Sequence, residues 1–164
     1  MSGDKLRKLV SCVHLVDIRT MSIEGRIDLD AGISDGVDGE AELPLSLETA
    51  VSIRDDMQGL MASFAASLDR GSTSSVPATH MKIEVAVIYE LRGWDREDLS
   101  QDLLREFAEK VALYQALPFL REAFVTLAGR LRVPAPVLPL MPKDMGPGDL
   151  TGPHILRHER QKDM

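Results

Sequence analysis

Cysteine is nearly absent from these 164 residues: Cys12 stands alone, which excludes an intrachain disulfide and fits a reducing compartment. Aromatic residues make up only 4%, so the core has to be built from aliphatic side chains and methionine. Basic residues are in deficit, 19 Lys and Arg against 26 Asp and Glu. The resulting charge of -7 argues against the Lys/Arg-rich face that a phosphate backbone requires, so no nucleic acid is expected as a partner. No stretch reaches the roughly 18 apolar residues of a membrane span. Lys5, Arg7 and Lys8 precede LVSCVHLV much as in a secretory signal, but His14, Asp17 and Arg19 cut the apolar run short and no small-residue cleavage site follows. A cytoplasmic chain is the expectation.

Catalytic signatures are missing too. No G-x-x-x-x-G-K-[ST], G-x-G-x-x-G or G-x-S-x-G pattern occurs. Cys12 and His14 would share a strand face, but no third group is placed to activate a thiolate, so a buried and inert cysteine is expected. His154 and His158 have the i, i+4 spacing of two metal ligands on a helix, yet they sit in a tail full of Gly and Pro with no further ligand cluster. The expectation is no enzyme, no metal and no cofactor.

What is present is one domain's worth of strand and helix patterning. Residues 10–24 (VSCVHLVDIRTMSIE) are β-branched-rich and change their apolar face past Asp17, which predicts a long strand with a twist or bulge. The span 25–56 carries acids almost throughout and contains GISDGVDGE, and most of it reads as a solvated loop. MQGLMASFAASLDR (57–70) is ambiguous: Met57, Leu60, Met61, Phe64 and Leu68 make a helical stripe, while Leu60, Ala62, Phe64, Ala66 and Leu68 alternate as a strand would. HMKIEVAVIYEL (80–91) is the clearest strand, with one face in the core and the other partly wet. From Asp95 an acid-capped helix runs to about Leu131, interrupted by Pro118, where a kink near 114–118 is expected. Pro134, Pro136, Pro139 and Pro142 then forbid helix and hold VPAPVLPLMP extended, and residues 143–164 are expected to be a mobile tail.

The step LPFLRE (117–122), LAGRLRV (127–133) and the proline-punctuated PAPVLPLMP (134–142) together resemble the SecB family of export chaperones. The resemblance extends over 84–142, is partial over 13–24, and is topological only at 57–70. It implies an α+β fold for 1–142, a four-stranded antiparallel sheet packed by a long kinked helix, and so turns 57–70 into a strand. It also implies a dimer of dimers assembled through the long helix, with Leu120, Phe124 and Leu127 in core or interface. The chain departs from the family pattern in three places: Ala135 separates Pro134 from Pro136, Met21 stands where a companion acid to Asp17 is usual, and no second amphipathic helix follows Met141. SecB-like chaperones that serve toxin-antitoxin pairs also tend to lack that helix.

The function this implies is an ATP-independent holdase that binds unfolded polypeptides, for export or for an antitoxin. Such a groove needs deformable apolar area, which methionine and a proline-held crossover supply. Met57, Leu60, Met61, Phe64, Val133, Val137, Leu138, Leu140 and Met141 are the expected client contacts. Asp17, Glu24, Glu84 and Glu90 are the candidate acidic patch for the motor SecA, an antitoxin being the other partner the resemblance offers. The reading from another class is a non-catalytic adaptor that binds one folded partner.

Overall fold

The computed structural model describes residues 2–29, 45–54, 58–72, 76–138 and 150–157. Within them the alternation at 57–70 wins over its helical periodicity. Strand β3 (Gly59–Arg70) buries Leu60, Ala62, Phe64, Ala66 and Leu68 on one face and leaves Met61, Ser63, Ala65 and Ser67 on the other. Alanine is a poor strand former on propensity, but here both neighbours are strands and the apolar face is fully covered, so burial decides. Strand β4 (Ala78–Leu91) follows as an antiparallel neighbour, with Met81, Ile83, Val85, Val87, Tyr89 and Leu91 buried beside that face.

Strand β1 (Val13–Asp28) pairs with the far side of β4, and β2 (Leu45–Ile53) with the far side of β3, giving the antiparallel order β1-β4-β3-β2. The face change expected in β1 is real and has two causes. Val16 and Met21 are each an extra residue against β4, so the core-facing set passes from Val13 and Leu15 to Ile18 and Thr20, and then to Ile23, Gly25 and Ile27. β2 is a correction to the loop expected over 25–56: Leu45, Leu47, Val51 and Ile53 alternate toward the core with Thr49 among them.

Two further corrections concern the ends. Residues 2–12 form helix α1 (Ser2–Cys12), which buries Leu9 and ends where β1 begins, so Cys12 and His14 do not share a strand face. Lys8 pins this helix: its Nζ lies 5.0 Å from the centre of the Trp94 ring and 3.8 Å from Asp98. In the tail expected to be mobile, Leu150–Arg157 forms strand β5, parallel to β2 at the edge of the sheet, and the rest of 143–164 lies outside the described residues.

The helical arm backs one face of the sheet. After a short 3-10 turn at Arg96–Asp98, Ser100 caps helix α2 (Gln101–Phe107) by accepting from the Leu103 N–H at 3.2 Å, five residues later than the acid cap expected at Asp95. A π-turn at Ala108–Ala112 leads into α3 (Leu113–Leu131), which packs over β4, β1 and β3. The irregularity expected near 114–118 therefore lies one turn earlier, and the apolar spacing explains it. Leu104, Ala108, Ala112, Ala116, Leu120, Phe124 and Ala128 are all buried at strict steps of four. In an α-helix of about 3.6 residues per turn each such step drifts by ~40°, and over this run the stripe would leave the sheet. The wide turn, in which the Leu113 N–H reaches back to the Ala108 carbonyl, absorbs one residue and returns the stripe to the core.

At its far end α3 closes on Arg132 in the left-handed region (φ 56), with the Val133 N–H on the Ala128 carbonyl at 3.1 Å, and Pro134 prevents continuation. Gly25 makes this approach close: a Cβ there would stand 2.8 Å from a Leu127 methyl and 2.9 Å from a Leu131 methyl.

Tyr89 ties helix to sheet. Its ring meets Phe107 edge-on at 5.1 Å between centres, and its hydroxyl donates to Gln115 Oε1. Burial pushes the phenol well above its ordinary range. A phenol that resists ionisation in the fold but ionises freely once unfolded gives stability that is intact below about pH 10 and lost as the pH climbs beyond it. Tyr89→Phe is expected to cost about 1 kcal/mol at neutral pH through the orphaned Gln115 and to flatten this alkaline fall, as measured by urea melts between pH 8 and 11.

Candidate peptide-binding surface

The residues expected to line a client groove are not gathered on one surface. Leu60 and Phe64 are in the centre of the core, beneath the helical arm, and no client can reach them. Met61 is on the opposite face of β3, partly buried. Val133 is buried at the end of α3. Met57, Leu140 and Met141 lie outside the described residues. What remains is the start of the crossover, residues 134–138, which has no regular secondary structure. Val137 is 95% exposed, while Leu138 packs partly against the core and Pro136 is buried. The Pro134 carbonyl accepts from Arg70 Nη1 at 3.4 Å, which tethers the crossover to the end of β3. Leu68 pairs with Leu45, so this is also the end of the sheet at which β2 starts.

Leu120, Phe124 and Leu127 are buried against the sheet within the single chain. A helix from another copy would meet Tyr114, Phe119 and Val125 instead, the large apolar side chains that α3 leaves exposed. A second open apolar set follows the free edge of β1. Leu15 and Ile23, on the face shared with α3, are half-exposed, and the two bulged residues Val16 and Met21 are more so. Four large aliphatic side chains on a sheet edge are a ready pairing template.

Asp17, Glu24, Glu84 and Glu90 share the face of β1 and β4 turned away from α3, but they are spread along it among basic residues, a mixed-charge surface rather than an acidic patch. Asp17 accepts from Arg19 Nε at 2.5 Å and from its neighbour's N–H, and Arg19 holds its carboxyl below the usual carboxylate range. Glu90 accepts from Arg92 Nη2 at 2.7 Å, with the same effect. Glu24 stands opposite Lys82 in the register, and Glu84 opposite Ser22. His80, on the same face, lies 2.6 Å from Asp69. A basic partner docking here would displace the chain's own arginines.

A polar cleft of about 540 Å³ at the end of β4, lined by Gln58, Glu90, Leu91, Arg92, Gly93, Trp94 and Asp95, has the wrong chemistry for an apolar client. No group of three His, Cys, Asp or Glu side chains converges on a metal position among the described residues, and none of their helices is long and apolar enough to cross a membrane. His154 lies in a strand, so the i, i+4 helical pairing with His158 does not apply to it.

A four-stranded antiparallel sheet with a long irregular helix on one face, leaving that helix through a proline-held extended segment, is a SecB-like architecture. The chain superposes on the Mycobacterium tuberculosis Rv1957 SecB-like chaperone, solved in complex with a ChAD peptide from the Rv1956 HigA1 antitoxin, with a TM-score of 0.66 over 84% of this chain and 96% of that one. Sequence identity is 17%, so the likeness is one of fold. A Streptococcus agalactiae protein of unknown function matches at a TM-score of 0.37 and 11% identity, covering 77% of this chain and 96% of its own. No known family profile and no curated protein matches the sequence.

Proposed function

We propose that this chain is a SecB-like chaperone that holds extended, non-native polypeptide without nucleotide, and that its client is a dedicated one of the antitoxin kind. The observation that carries the reading is Val137: an aliphatic side chain almost fully exposed on a segment that cannot fold over it, in a fold whose solved counterpart holds an antitoxin peptide. General export is the second reading, and the mixed charge of the β1–β4 face counts against it, because Asp17 and Glu90 already have arginine partners. An adaptor for one folded partner would leave denatured proteins unprotected. Near-stoichiometric suppression of aggregation, tested on two unrelated denatured enzymes and on one aggregation-prone antitoxin, separates the three: all protected for a general holdase, the antitoxin alone for a dedicated chaperone, none for an adaptor.

The open β1 edge supports the homo-oligomer that goes with this reading. Two copies of β1 can pair antiparallel about a point between Met21 and Ser22, which sets Thr20 opposite Ile23, Arg19 opposite Glu24, Ile18 opposite Gly25 and Asp17 opposite Arg26. In an unbroken strand that register would pair residues from opposite faces; the Met21 bulge shifts the face between the two halves and makes every one of these pairs a same-face pair. Opposite charges then meet at each charged position. The exposed α3 side chains Tyr114, Phe119 and Val125 would serve a second contact, completing a dimer of dimers.

A further inference from the structure

We propose that the outer edge of β2 is a strand-docking site, held in this chain by its own Leu150–Arg157, and that an extended partner segment takes it by displacing that strand in the same parallel register. The inference deepens the chaperone reading by naming where and how a segment of client would be held. Three features support it. Among the described strands β5 alone pairs in parallel, and its described packing is mainly on β2, with a lesser approach to α2. A parallel neighbour must enter β2 from its Leu45 end, which is the end to which Arg70 tethers the crossover and near which Val137 is exposed.

The second feature is a defect. Between Glu48 and Ala50 on β2 the chain of β5 runs from Thr151 to His154, one residue more than the ladder can take, and the surplus falls at Gly152–Pro153. Proline has no N–H to give the ladder, so the chain's own strand holds this edge with fewer bonds than an unbroken segment would make. It is therefore an exchangeable occupant, kept in place by being tethered rather than by fitting well.

The third feature sets the chemistry of the partner. Leu150 and Ile155 stand opposite Leu47 and Val51, which are fully buried, so an unbroken replacement wants apolar residues four apart at these positions. Glu48 and, further along the sequence, Asp55 and Asp56 make this stretch acidic, while β5 ends on Arg157 and His158 and Arg160 follow it in the sequence. An extended segment with two aliphatic residues four apart and a basic residue after them is the class of ligand this edge would select.

The test uses the full chain and a fluorescent peptide, LTGHILR, which is residues 150–157 without Pro153. Ile155→Pro puts a second proline into the resident strand, which a strand ladder tolerates poorly; deletion of Pro153 mends its register. By anisotropy titration, Ile155→Pro is expected to bind the peptide about tenfold tighter than the parent and the Pro153 deletion about tenfold weaker. Equal affinities in the three chains, no binding by any of them, or the reverse order would overturn the inference. A chain that shows the expected order but protects neither the denatured enzymes nor the antitoxin would retain the docking site and lose the chaperone reading.

Discussion

Arg19→Glu is expected to weaken the proposed β1 pairing of two chains, and adding Glu24→Arg is expected to restore it. In the β1 register centred between Met21 and Ser22, two-fold symmetry places Arg19 opposite Glu24 twice, so a single reversal replaces two attractions with two repulsions. Cross-strand charge pairs are each worth up to about 1 kcal/mol, so the single variant is expected to weaken association by about 2 kcal/mol, roughly thirtyfold in Kd. The local pair between Arg19 and Asp17 is lost in both variants. Recovery in the double variant therefore isolates the contact between chains. Sedimentation equilibrium at low salt reads the result, and equal dissociation constants for parent and Arg19→Glu would place the oligomer contact elsewhere, with Tyr114, Phe119 and Val125 the next surface to change.

Phe124→Ala is expected to remove about 3–5 kcal/mol of folding stability, the range for deleting a fully buried aromatic ring. Phe124 has no exposed area and belongs to the step-of-four stripe that the π-turn keeps on the sheet. Natural domains have about 5–15 kcal/mol in all, so the variant would be marginal at 25 °C. Denaturant unfolding measures the loss. A loss below about 1 kcal/mol with dissociation of the oligomer would show instead that Phe124 is an interface residue. Tyr114→Ala and Val125→Ala, on the exposed side of the same helix, should leave the stability of the single chain nearly unchanged.

How far the sequence could be read depended on whether a segment's own pattern or its neighbours decided its state. The alternation in β4 is complete in itself, and the helix that ends at Leu131 shows in its apolar spacing. In β3 the pattern was ambiguous, and the decisive fact, that strands flank it on both sides, is not local. β2 does alternate at Leu45, Leu47, Val51 and Ile53, but the acids around it dominated the composition and hid it. α1 has no counterpart in the sequence reading, where the stretch is set against a secretory signal and rejected as one; its helical signal is slight, Leu9 in the core and Leu6 partly buried three residues before it. The strict four-residue spacing from Leu104 to Ala128 encodes the π-turn, but Pro118 draws the expected kink to 114–118 instead.

The candidate site was less accessible for a physical reason. Leu60, Met61 and Phe64 are equally apolar, and which of them faces a client depends on which side of the sheet the helical arm covers. Sequence alternation separates the faces but does not say which is buried by the chain itself. The exposure of Val137 follows from Pro134 and Pro136, which deny it any regular structure in which to hide. The tail's Gly and Pro, read as signs of mobility, instead mark the break in the β5 ladder at Gly152–Pro153.

The most direct test of nucleotide-free holding of extended chain is the titration of a labelled, unfolded antitoxin segment against the parent and Val137→Lys, with and without ATP. The expected result is saturable binding that ATP does not change, weakened about tenfold by Val137→Lys, with the melting curve of the variant unchanged because the side chain is outside the core. Absence of saturable binding by the parent, or binding that Val137→Lys leaves intact, would contradict it.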